Sequence, residues 1–170
     1  MPAAIETLGE VQVLRQNADT ILHVLKLNVE GITQNESLVQ PAPAGNCLNW
    51  VVGHLLWVYN QILPLVNQPQ LMPQENLRAY ERGSQPIKSS SEALDLNFLL
   101  QALTDATDRV QEGLRTLTLE KLMEPAPFSP RKDPNESIGS LLAIAFFHQA
   151  YHVGQTAVLR RIIGKPGAIA

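Results

Sequence analysis

The sequence contains a single cysteine, Cys47. This excludes an intrachain disulfide and is read as a sign of a reducing compartment. A basic excess is also missing, since the net charge is -3. Lys and Arg are scattered, apart from a small group at Arg160, Arg161 and Lys165 that falls at an expected helix end, where cations are favourable. The basic face of a nucleic-acid-binding protein is therefore not expected. The opening "MPAAIETLGE" has no basic stretch leading into an apolar one, so no signal peptide is expected. Apolar runs are broken by His, Asn or Gln before they reach membrane-spanning length. Together these absences point to a cytoplasmic protein without a nucleic-acid or membrane partner. No segment alternates with period two over a useful length, so strands are not expected. The phosphate loop, GxSxG and dinucleotide glycine patterns are absent. No Glu-x-x-His pair occurs, and the acidic residues avoid the apolar stripes, which argues against a carboxylate-bridged di-iron bundle.

What is present is a chain of 170 residues, 45% hydrophobic and 17% charged. That suits one globular domain over residues 1–170. Four segments have helical periodicity. The first runs from about Glu6 to Ile32, with Leu14, Ala18, Ile21, Leu25, Val29 and Ile32 on one face. The second runs from about Leu48 to Asn67, with Asn46 or Asn49 as a cap and Pro64 near its end. The third spans about Ser91 to Leu117, with "SSSEAL" as its cap and a clean stripe from Leu96 to Leu117. The fourth runs from about Ser137 to Ile163 and stops at Gly164 and Pro166. A Pro-rich link of about twenty residues, with a short helix near Gln74 to Arg82, can span a helix of roughly 30 Å. An all-α four-helix bundle follows.

The second and fourth helices are apolar nearly all round. In the fourth, Leu141, Ile144, His148, His152, Gln155, Leu159 and Ile162 share one side, while Phe146, Ala150, Val153 and Ala157 lie opposite. Such helices need cover on both sides. A homodimer through the second helix, the fourth or both would supply it. A long loop folded back over them would do the same.

Of four histidines, His148 and His152 lie a turn apart in "FFHQAYHVGQ". At that spacing, on an inward face, the rings either hydrogen-bond within a core or reach one metal ion. His54, in "NWVVGHLLWVYNQ", points inward with Cys47, Val51, Val58, Gln61 and Leu65. Three inward imidazoles each need a partner, and one ion satisfies all three. His23 falls on the outer side of its helix. Cys47 is either a reactive thiol near a helix start or a small buried hydrophobe. Trp57, Tyr59, Asn60 and Tyr151 are candidate pocket residues.

Most of the chain resembles the DinB-like (YfiT-like) superfamily of metal-binding four-helix bundles. The likeness rests on "NWVVGHLLWVYNQIL", on "LRAYERGSQPIKSSSEAL" and on "SIGSLLAIAFFHQAYHVGQTAVLRRIIGKP", whose His-x-x-x-His-x-Gly-Gln pattern is specific. The resemblance implies an up-down-down-up bundle with a long crossover between the second and third helices. It also implies His54, His148 and His152 as metal ligands, and a homodimer. Gln155 stands at the family's Gln position, and Gly154 would allow close helix approach. Both are read as packing residues first. Imidazole ligands suit zinc or nickel, with iron, cobalt and copper also open. The resemblance implies a small-molecule substrate handled by thiol transfer with a low-molecular-weight thiol. Hydrolysis through metal-bound hydroxide and a non-enzymatic, stress-related metal-binding role are the alternatives.

Overall fold

The computed structural model describes residues 9–169 and is all-helical among them, apart from one isolated bridge between Pro125 and Ser137. Its helices are α1 (Glu10–Val29), α2 (Gln34–Ser37), α3 (Leu48–Ile62), α4 (Leu96–Thr116), α5 (Leu119–Met123) and α6 (Ile138–Ile162). The expected first turn from Glu6 lies outside the described residues. No helix among the described residues is long and apolar enough to cross a membrane.

Periodicity placed the long helices, and local chemistry set their ends. In α6, Ser137 and Ser140 cap one another's backbone reciprocally, and Gly164 ends the helix at φ +91°, where a side chain would be strained. Two expected starts are corrected. No side chain caps α3, whose capping position is Cys47. Asn49 instead donates to the Leu94 carbonyl at 2.9 Å. The third long helix begins at Leu96, not Ser91, because Asp95 accepts from the Phe98 amide at 3.0 Å and captures the start. Pro64 lacks an N–H, and at that point α3 tightens into a 3₁₀ turn over Leu63–Val66.

The four long helices form a ring, with α1 and α3 each packed against both α4 and α6. At one end of the α3–α4 pair Asn49 meets Leu94, and at the other a Cβ on Gly113 would overlap the Val66 carbonyl oxygen. These two helices therefore run the same way, which only a long crossover allows. Arg15 of α1 meets Gln111 of α4, while Gln34, just beyond α1, meets Leu94 and Leu96, so this pair runs oppositely. Tyr59 against Phe146, with His54 near His152, gives α3 and α6 opposite directions too. The core is aliphatic: Leu25, Leu55, Leu56, Leu99, Leu114 and Leu141 are all buried. Each contributes about 1.5–3 kcal/mol relative to exposure.

The crossover from Leu63 to Asp95 covers the outer side of α3. Its second 3₁₀ segment, Gln74–Tyr80, packs directly on that helix. Asn60 holds it, accepting from the Leu71 amide at 2.8 Å and donating to the Met72 carbonyl and Gln74 side chain. Near its far end, the Tyr80 hydroxyl donates to Asn49 and accepts from the Leu94 amide. The doubly apolar α3 thus takes its cover from its own chain, so a dimer through that helix is not needed. The sides of α6 are also shifted from expectation. Phe146 and Val153 are buried, His148, His152 and Gln155 sit half-buried at the edge, and the outward face carries Phe147, Tyr151 and Val158. Gly154 faces outward with nothing near it, so it makes no close helix contact.

Candidate metal centre

α3 and α6 bring together the Nε2 atoms of all three inward histidines. His148 Nε2 lies 3.3 Å from His54 Nε2 and 3.1 Å from His152 Nε2. One ligand atom from each of the three residues lies within 4.8 Å of the others. Imidazole nitrogens about 2.0–2.1 Å from a tetrahedral ion are separated by roughly 3.3 Å, so the observed spacing fits one ion.

The outer nitrogens decide what these atoms can do. His54 Nδ1 lies 2.7 Å from the Tyr80 carbonyl oxygen. A carbonyl only accepts, so Nδ1 carries the hydrogen and Nε2 presents its lone pair inward. His152 Nδ1 donates to Gln155 Oε1 at 2.7 Å, with the same consequence. His148 Nδ1 is buried without a partner. At most one Nε2 hydrogen, on His148, is available for two facing lone pairs, so the cluster has a surplus of acceptors. A cation resolves that surplus.

The rings are held neutral, as ligation requires. Burial pushes His54 down to about 4, against its bond to Tyr80, and the nearby His152 and Arg82 charges push the same way. Burial also pushes His148 to about 4, helped by His152, His54 and Arg82. His152 is lowered by burial and raised somewhat by Gln155. Trp50 and Trp57 stack on His54, with ring centroids at 4.7 and 5.8 Å, and fix its plane.

Beside the cluster is a cavity of about 280 Å³ that opens on His54 and His148. Trp57, Val58, Phe128, Leu141 and Ile144 give it apolar walls, and Gln61 and Arg82 supply its other polar groups. No Asp or Glu lines it. The link before α6 carries Phe128 and Pro130 to this wall. That link is anchored by the buried Glu136 carboxylate, which accepts from the Ser140 and Ser129 hydroxyls and from Arg131.

Of the four candidate pocket residues, only Trp57 lines the cavity. Tyr59 is buried against Phe146, and Asn60 is occupied by the crossover. Tyr151 is exposed, with its ring edge-on to His152. His23 is exposed. Cys47 is fully buried, its thiol pushed up by burial and donating to the Ile87 carbonyl at 3.6 Å, so it packs as a small hydrophobe. Periodicity missed Tyr80, Arg82, Phe128 and Pro130. All four sit outside the four long helices, and only Tyr80 and Arg82 fall in a stretch, "LRAYERGSQPIKSSSEAL", that the family resemblance had marked.

The comparisons with known proteins concern the family and the fold. The family model described as the DinB superfamily matches residues 14–156. Among solved structures, one described as the conserved protein of locus from Enterococcus faecalis has a TM-score of 0.72 at 17% identity. The match covers 94% of this chain and 100% of that one. At that identity the likeness concerns the fold alone. No curated protein matches the sequence.

Proposed function

We propose that this chain, which belongs to the DinB superfamily, holds a divalent transition-metal ion on the Nε2 atoms of His54, His148 and His152 and acts as a metal-dependent transferase using a low-molecular-weight thiol. The observation that carries this reading is the convergence of three Nε2 atoms, 3.1 and 3.3 Å apart, with the Nδ1 hydrogens of His54 and His152 turned away to acceptors. Zinc and nickel suit such a donor set best, and iron, cobalt and copper also accept imidazole.

Bound there, the ion would supply a Lewis acid that lowers the pKa of a thiol toward neutrality. The protein's own groups do the rest. Tyr80 and Gln155 fix the tautomers and planes of His54 and His152. The apolar cavity wall offers a substrate body a hydrocarbon surface beside the cluster. The lining offers no carboxylate to take a proton from water. A thiol starts out far more acidic than water and would release its proton to solvent more readily with the ion's help, and this supports thiol transfer, with hydrolysis by metal-bound hydroxide as the second reading. The outward apolar face of α6, with Phe147, Tyr151 and Val158, supports pairing with a second copy in a homodimer.

The test uses metal-loaded protein with 1-chloro-2,4-dinitrobenzene and cysteine, glutathione or coenzyme A, with a nitrophenyl ester in parallel. Conjugation that requires both thiol and metal, and that falls at least tenfold in His148→Ala, supports the reading. Ester hydrolysis without any thiol consumption would replace it with the hydrolase reading. If neither reaction occurs in fully loaded protein, a non-enzymatic role remains.

A further inference from the structure

The 280 Å³ cavity beside the histidines is at the small end of ligand pockets, which run roughly 300–1,000 Å³. Its walls are hydrocarbon and aromatic, so it suits a compact apolar body. Its charge is one-sided. Arg82 is the one Lys or Arg in its lining, and no Asp or Glu lines it.

Arg82 is also uncommitted. It is exposed and makes no hydrogen bond or ion pair with any described side chain or carbonyl. Arg131, in the opposing link, is by contrast tied to Glu136 and Asp133. A guanidinium is a planar fork of donors that pairs with a carboxylate in two parallel bonds. Arg82 follows the Tyr80 carbonyl by two residues, so the segment that orients His54 also sets the guanidinium at the cavity.

From this juxtaposition we infer that the cavity takes a small molecule with an apolar body and one carboxylate, whose head is paired by Arg82. This rests on the metal-site reading insofar as it names the substrate class of that site. The contact with Arg82 does not itself need the metal.

Octanoate, 1-octanol and octylamine share one chain and differ only in the head group. Their affinities are measured by titration calorimetry at fixed ionic strength, on protein as purified and after zinc loading, with metal content measured on each sample. Octanoate binds at least tenfold more tightly than 1-octanol, and octylamine binds most weakly. Arg82→Gln brings octanoate to within about twofold of 1-octanol and leaves 1-octanol unchanged. Arg82→Lys, which keeps the charge without the fork, retains part of the advantage. Because Arg82 is exposed, both variants keep the fold. An octanoate advantage that survives Arg82→Gln, or no advantage in the wild type, overturns the inference. If the protein takes up no metal but the Arg82-dependent preference stands, the metal reading fails and this one survives.

Discussion

The Nδ1 of His54 lies 2.7 Å from the carbonyl oxygen of Tyr80. That hydrogen bond joins a helix of the bundle to the crossover that wraps it. It also fixes which nitrogen of His54 faces the cluster. The site is therefore built as much by a loop as by the two helices that carry its histidines.

Gly53 tests that dependence. A Cβ at this position would overlap the Tyr80 ring, which is fully buried and held through its hydroxyl by Asn49. Helix propensity alone would favour alanine by up to about 1 kcal/mol. Overpacking opposes this, so Gly53→Ala is expected to destabilise by about 1–3 kcal/mol in urea unfolding. Metal affinity should fall with it as the Tyr80 carbonyl moves. A variant as stable as wild type would mean that Tyr80 does not pack on Gly53.

Gln155 is the acceptor for His152 Nδ1. Gln155→Leu should weaken metal binding about 10–100-fold while leaving helix content unchanged, since groups that orient ligands carry that much. Competition with a chromogenic chelator measures it, and Gln155→Glu should restore most of the loss. Unchanged affinity in the leucine variant would return Gln155 to a packing role.

The depressed histidines give the metal-free protein an acid-labile window. Folded, His54 and His148 stay near 4, lowered first by burial; unfolded, they titrate near 6.5. Above about 6.5 both states hold neutral rings and the pair adds no slope. Between about 6.5 and 4 the unfolded chain takes up protons that the folded chain refuses, so stability falls as pH falls. Thermal melts from pH 7 to 4 should show this drop, and His54→Gln with His148→Gln should flatten it. An equal drop in that double variant would place its cause elsewhere.

How much of this was legible in the sequence depends on the range over which each feature is determined. The stripe from Leu96 to Leu114 and the start of the last helix at Ser137 are local, and both could be read directly. So could the inward placement of His54 and the shared face of His148 and His152, because helical spacing fixes a face, although that face of α6 sits at the edge of the core and not inside it. The start of α4 was misread because "SSSEAL" and Asp95 offer rival caps a few residues apart, and the tertiary contacts of Gln34 and Asn49 favour the later one. Tyr80 and Arg82 could not be placed, since nothing local says where a Pro-rich crossover will land. The outward turn of Gly154 was missed for a related reason. The packing of α1 and α3 against α6 sets which of its sides is buried, and α6 is apolar nearly all round.

Metal stoichiometry in the wild type and in His54→Ala, His148→Ala and His152→Ala tests the three-histidine site most directly. Elemental analysis after loading and gel filtration should find one divalent ion per wild-type chain. Each variant, checked for retained helicity by circular dichroism, should hold at least tenfold less. Undiminished metal in all three folded variants would contradict the site.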